Sequence, residues 1–244
     1  MSYNREKLTQ VLKEMKQDYF SNPNKATKGQ SFIKKLHEYC KYEFTQKGIN
    51  ESKVHLEKKV SGSHSEKDVD VVVMGPQNNK STIATGPLIT ISIKSQMSSV
   101  KKNIQTVYDR IIGEVLNLHN RFPLLIANCL YLYPTHGYTK PSVTVAAGRR
   151  IQEAIENNQI SNPFDYSIEN IDFEKLNKKY ALITGRKDPS DFPDKHEHFA
   201  LLVVDFDLDP PCIKDDFISE QSLTIDNFFD KIYEDYLKRN ASFL

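Results

Sequence analysis

Between Lys67 and Lys102 two apolar stretches, DVDVVVM and LITISIK, carry polar residues that packing alone does not require. If each is a strand, side chains alternate along it. Asp68, Asp70, Val72 and Met74 then share one face, with Val69, Val71 and Val73 on the other. In the second stretch Ile89, Ile91 and Ile93 oppose Thr90, Ser92 and Lys94. Pairing of the two strands predicts that the carboxylates of Asp68 and Asp70 and the amine of Lys94 converge on one point. An unpaired buried carboxylate costs several kcal/mol, so Asp70 must be solvated, paired or bound to a metal. A carboxylate that anchors a hard cation, beside a lysine that orients water or offsets developing negative charge, is equipment for metal-assisted phosphodiester hydrolysis. The plainer alternative is a cross-strand Asp–Lys pair at a sheet edge.

The order of the surrounding parts resembles the PD-(D/E)xK superfamily, to which many type II restriction enzymes belong. A helix over Gly29 to Gly48 precedes a strand at Val54 to Val60. The strand bearing Asp70 comes next, then Ser92-Ile93-Lys94, then a helix from about Ser98. The resemblance implies an α/β fold with a restriction-endonuclease-like mixed β-sheet core flanked by helices. It further implies a Mg²⁺-dependent DNA endonuclease, most simply a type II restriction enzyme acting on double-stranded DNA as a homodimer. By the same resemblance Asp70 and the main-chain carbonyl of Ile93 hold the metal, Lys94 assists the attacking water, and Gln96 stands near the scissile phosphate. Two positions depart from the pattern: Val69 replaces the proline, and Ser92 replaces the acidic residue of (D/E)-x-K. Serine supplies no carboxylate. Some S-x-K enzymes recruit an acid from the following helix, which leaves Glu114, Asp109 or Asp68 as substitutes, with Glu114 favoured.

The composition accommodates this reading. The 244 residues, 39% hydrophobic and 27% charged, suffice for one domain with a substantial core. A single domain over 1–244 is expected, its nuclease core at about 28–135 and further helices and strands at 136–244. The net charge of +1 neither requires nor excludes nucleic acid, since DNA binding needs only one basic face. Cys40, Cys129 and Cys212 form no CxxC pair and read as reduced core residues. No leader-like start or apolar run of membrane length occurs, so a cytoplasmic location is expected.

Helical spacing marks Asn4 to Phe20, Lys28 to Lys47, Ser98 to Asn120, Val143 to Asn157, Asp172 to Leu182 and Ile225 to Leu237. Leu124 to Tyr133 reads as a strand buried on both faces, Phe199 to Phe206 as another strand, and Thr135 to Pro141 as a polar loop. Glu38 is the best acid of the second helix. Ser98 or Ser99 would cap the helix that follows Lys94, and with Lys101 and Lys102 this end forms a natural phosphate site. Arg149 and Arg150 are candidate phosphate or base contacts. His196 and His198 read as surface or DNA-contacting histidines rather than metal ligands.

A rival motif lies upstream. Gly62-Ser63 followed by Asp68-Val69-Asp70 resembles the GS…DxD signature of polymerase-β-like nucleotidyltransferases. The gap between the two parts is shorter than that family uses, and a lysine stands where its third acid belongs. A nuclease-like protein that binds DNA without cutting is the third reading, because the motif acid is missing.

Overall fold

The computed structural model describes residues 3–21, 31–75, 86–139 and 167–240. Five helices are described: α1 (Arg5–Ser21), α2 (Ser31–Gln46), α3 (Val100–His119), α4 (Phe173–Ala181) and α5 (Phe228–Asn240). The strands are β1 (Val54–Ser61), β2 (Glu66–Met74), β3 (Pro87–Ser95), β4 (Ile126–Pro134), β5 (His136–Thr139), β6 (Ser167–Asn170), β7 (His198–Asp205) and β8 (Cys212–Ile213). The fold is mixed α/β. Six strands form one sheet in the order β1-β2-β3-β4-β7-β8. Neighbours β1, β2 and β3 run antiparallel, β3, β4 and β7 run parallel, and β8 returns antiparallel to β7.

Period-2 and period-3.6 patterns explain the layers. Ile89, Ile91 and Ile93 of β3, Leu130 and Leu132 of β4, and Ala200, Leu202 and Val204 of β7 face the apolar sides of α1, α2 and α5. The opposite faces of β4 and β7, with Cys129, Tyr131, Tyr133, Phe199, Leu201 and Val203, pack against α3 and α4. Every residue of β4 is buried, as its near-continuous apolar run required. The core therefore draws on α1, β7 and α5 as well as on the 28–135 segment. Of the three cysteines, Cys40 and Cys129 lie in it, while Cys212 is only half-buried.

The hairpin of β1 and β2 departs from regular alternation where the chemistry lies. Val54 and Leu56 of β1 and Val71 and Val73 of β2 join the core beneath α2. Val60 and Val69 instead join a cluster with Val115 and Leu118 of α3. Both strands change face at one level, where Glu57 of β1 takes the left-handed φ of 49°. The register steps from Leu56↔Val71 to Lys58↔Val69 across that point, so Asp70 lies opposite the kink. The left-handed region costs a non-glycine residue about 1–2 kcal/mol. Strict alternation would have set Asp70 beside Val72; the switch turns its side chain toward α2, correcting the face expected above.

Two further expectations change. The stretch after Pro134 is a short strand rather than a loop, because His136–Thr139 pairs with Ser167–Asn170. The predicted helix at Val143 to Asn157, with Arg149 and Arg150, lies outside the described residues.

Candidate functional site

Asp70 and Lys94 meet where β2 and β3 part. Their pairing ends at Val71↔Ile91, which leaves the next amide of β3 free to serve a side chain. The Ile93 N–H donates to Asp70 Oδ2 at 2.6 Å, and Lys94 Nζ stands 4.0 Å from the same oxygen. Lys94 reaches the site from the α3 side of the sheet, where it lies 3.1 Å from Glu114 Oε2. Ser92 Oγ donates to that oxygen at 3.3 Å, and Arg110 Nε sits 3.5 Å from Glu114 Oε1. Glu114 is thus the helix acid that joins Ser92 and Lys94. Asp109 is exposed and accepts a hydrogen bond from Gln105. Asp68, also exposed, pairs across the hairpin with Lys59 and borders a small cavity behind the sheet rather than the cleft that Asp70 lines.

The sequence reading missed a fourth member. His37 of α2, its side chain only 2% exposed, holds Nε2 3.7 Å from Asp70 Oδ1 and Nδ1 3.9 Å from Glu57 Oε1. Neither ring nitrogen has a hydrogen-bond partner. Its neighbour Glu38, the acid singled out above, is exposed. The signal that existed was a histidine in register with the apolar stripe of Phe32, Leu36 and Cys40, a pattern more often met in satisfied core residues.

Electrostatics follow from burial. Removal from water raises the Asp70 pKa above its ordinary value, opposed by Lys94, the Ile93 amide and His37. Burial also lowers the His37 pKa, against the pull of Asp70 and Glu57, so the imidazole is neutral near pH 7. A partly desolvated carboxylate is a donor for a divalent cation.

Asp70 and Lys94 open on a cleft of about 460 Å³ whose walls also include Ile93, Ser98 and Arg110. Asn103, Thr106 and Arg110 of α3 form a polar stripe along one wall at spacings of three and four. That stripe was readable as the complement of the helix's apolar face. Gln96 also lines the cleft, but its amide is engaged at both ends. It accepts from Tyr131 Oη at 2.9 Å and donates to the Ser99 carbonyl at 3.1 Å.

The start of α3 differs from expectation. Ser99 sits at the cap with φ 55° and makes no side-chain capping bond. Glu169 of β6 caps the helix instead, accepting from Val100 N at 3.0 Å and Lys101 N at 2.8 Å. The first free N–H groups, expected to await a phosphate, are occupied by a carboxylate of the same chain, while the Lys101 and Lys102 side chains remain exposed. A β-carbon at Gly137 would stand 2.8 Å from Glu169 Oε2, so glycine opposite this residue lets the cap approach.

The HEH segment is likewise corrected. His196 and Glu197 are buried, and His198 Nε2 lies 2.9 Å from Asp235 Oδ2. His196 and Glu197 are internal because they lead into β7, beside the central strand β4, while His198 is only partly buried. The Gly62-Ser63 turn of the rival motif is tied to the end of α3. Asn117 Oδ1 accepts from His64 N at 2.8 Å, and the Ser63 amide donates to the Asn117 carbonyl at 2.9 Å. With that turn engaged and Asp68 outside the cleft, the paired aspartates that a nucleotidyltransferase needs do not converge.

Among the described residues no three His, Cys, Asp or Glu side chains are close enough together to enclose a metal ion. Among the residues that line the cleft, Asp70 is the carboxylate that fits a divalent cation keeping most of its waters, whereas the ring nitrogens of His37 are enclosed behind it. Among the described residues no helix is long and apolar enough to cross a membrane. Comparison with protein-family models, curated proteins and solved structures yields no match.

Proposed function

We propose that this protein is a Mg²⁺- or Mn²⁺-dependent endonuclease that hydrolyses phosphodiester bonds of double-stranded DNA, with the restriction-endonuclease-like core that its sequence resembles. The observation that carries this reading is the meeting of Asp70 and Lys94 at one end of an open cleft, with His37 buried behind the carboxylate. Asp70 would hold the cation, and the resemblance adds the carbonyl of Ile93. The bound cation would offset charge on the phosphate and lower the pKa of a coordinated water.

The chain's own residues do the rest. The Ile93 amide holds one Asp70 oxygen and leaves the other directed toward His37. Lys94 orients the water and stabilises negative charge at the phosphate. Glu114, engaged by Lys94, Arg110 and Ser92, holds the ammonium in place instead of completing the metal shell. Ser92 suits this task, since a second carboxylate there would repel Glu114. Arg110, Ser98, Lys101 and Lys102 are candidate contacts to the DNA backbone. Site-specific cutting by a cytoplasmic homodimer is the form of this activity that the resemblance favours.

Bacteriophage DNA incubated with the protein and Mg²⁺ or Mn²⁺ tests the reading. Discrete fragments are expected from the wild type, with Lys94→Ala slower by about 100-fold or more. Absence of metal-dependent nicking, or equal nicking by both proteins, would overturn it.

A further inference from the structure

The cleft holds polar groups that phosphodiester hydrolysis at Asp70 and Lys94 leaves unused. Asn103, Thr106 and Arg110 share one face of α3 over about 10 Å. Arg110 is engaged by Glu114, and the Gln96 amide is tied at both ends. By contrast, the Asn103 carboxamide and the Thr106 hydroxyl make no hydrogen bond among the described residues. Phe32 and Ile33 of α2 and Met97 also line the cleft, and they belong to the core layer on the sheet face opposite α3. The cleft thus lies between two layers at the carboxyl end of β3, where ligands enter open α/β sheets, and it sets apolar side chains against a hydrogen-bonding wall.

Its size and depth limit what can enter. About 460 Å³ falls within the range of pockets that enclose one small organic group, roughly 300–1,000 Å³. The polar face of α3 is recessed as a wall of this cleft. On another side α4 covers the helix, with Lys179 Nζ 2.6 Å from Gln105 Oε1 and 4.1 Å above the centre of the Tyr108 ring. A helix flanked in this way does not project into a DNA groove, so a base must come to it.

We infer that the cleft receives one unpaired nucleotide of the strand being cut. Its base lies against Phe32, Ile33 and Met97, its polar edge is read by Asn103 and Thr106, and its phosphate stands beside Arg110 and Lys94. The inference rests on the reading of Asp70 and Lys94 as the place of hydrolysis. A carboxamide offers one acceptor and two donors, which suits the mixed donor and acceptor edge of a base. A paired nucleotide must first unstack and unpair, a cost that a bulged nucleotide does not bear. DNA with an unpaired nucleotide is therefore the preferred substrate class, and fully paired duplex the weaker one.

Fluorescence anisotropy in EDTA, where no metal-dependent step occurs, tests this with three short duplexes of one sequence. One is fully paired, one carries a single bulged adenosine, and one carries the same bulge without its base. Wild type is expected to bind the adenosine bulge about 10-fold more tightly than either of the others. Asn103→Ala, which removes no internal hydrogen bond, should melt like wild type and bind the paired duplex within about twofold of it, while the bulge advantage falls below about threefold. Equal binding of bulged and paired DNA would overturn the inference. So would an advantage that the baseless bulge retains, or one that Asn103→Ala leaves intact. Adding Mg²⁺ to the same duplexes separates the two readings. Cleavage without a base-dependent preference sinks this inference alone, and the preference without cleavage sinks the nuclease reading alone.

Discussion

At the residue scale, Asp70 is a group whose placement works against stability. Burial raises its folded pKa, so the stabilising contribution belongs to the neutral acid. That contribution is fully present below the unfolded value of about 3.9 and is lost as pH rises through the higher folded value. At pH 7 the carboxylate is therefore a cost. Asp70→Asn keeps an oxygen for the Ile93 amide and removes the charge. Urea unfolding at pH 7 should show the variant more stable by about 1 kcal/mol, with the difference vanishing below about pH 4. The same variant should lose Mn²⁺ binding. His37 has the opposite sign: its lowered pKa gives stability that is full above about 6.5 and declines as pH falls toward the folded value.

At the scale of elements, α3 is held at both ends by residues remote in sequence. Glu169 caps its start with two backbone bonds, and Asn117 near its end accepts the amides of His64 and Ser65 at 2.8 and 3.2 Å. These clamps fix the helix against the β1–β2 hairpin and the β5–β6 pair, and so fix Arg110 and Glu114 relative to Lys94. Glu169→Ala should cost about 1 kcal/mol, as loss of a helix cap does, and speed hydrogen exchange at Val100 and Lys101. Glu169→Gln, which retains acceptors but forfeits the charge–dipole attraction, should cost about half as much. Equal exchange rates in wild type and the alanine variant would show that the cap is not what secures this end.

At the scale of the whole molecule, one buried carboxylate joins four parts of the chain. Glu197, immediately before β7, accepts from Ala127 N at 2.8 Å on β4 and from Arg239 at 2.6 Å on α5. Arg186 reaches it at 2.7 Å, and His119 Nε2 at the end of α3 stands 3.2 Å away. Desolvation raises the Glu197 pKa, but the charges of His119 and Arg239 beside it outweigh that and bring it down to about 2. A depressed acid contributes stability above its unfolded pKa, near 4.3, which is lost as pH falls toward the folded value. Glu197→Gln should therefore unfold more easily by about 3–5 kcal/mol at pH 7. It should also lack the part of the acid-induced decline between roughly pH 4.3 and 2 that this group supplies. Chemical denaturation at a series of pH values checks both.

Much of the architecture was legible in the chain because it depends on local periodicity. The apolar stripes of α1, α2, α3 and α5 and the runs of β2, β3, β4 and β7 appear close to their expected limits. Each of those patterns states which face must leave water. The short strands β5, β6 and β8 were not legible, since they exist through pairing with distant partners. Asp70, Lys94, Ser92 and Glu114 were readable as a set because residue type and order narrow their chemistry before any geometry is known. What tertiary structure alone decided was the route by which they meet. A left-handed glutamate turns Asp70 to the other face of its strand, a core-stripe histidine becomes its neighbour, and a distant glutamate occupies the helix end expected to bind phosphate. Such contacts depend on where separate elements come to rest, which no single stretch of sequence specifies.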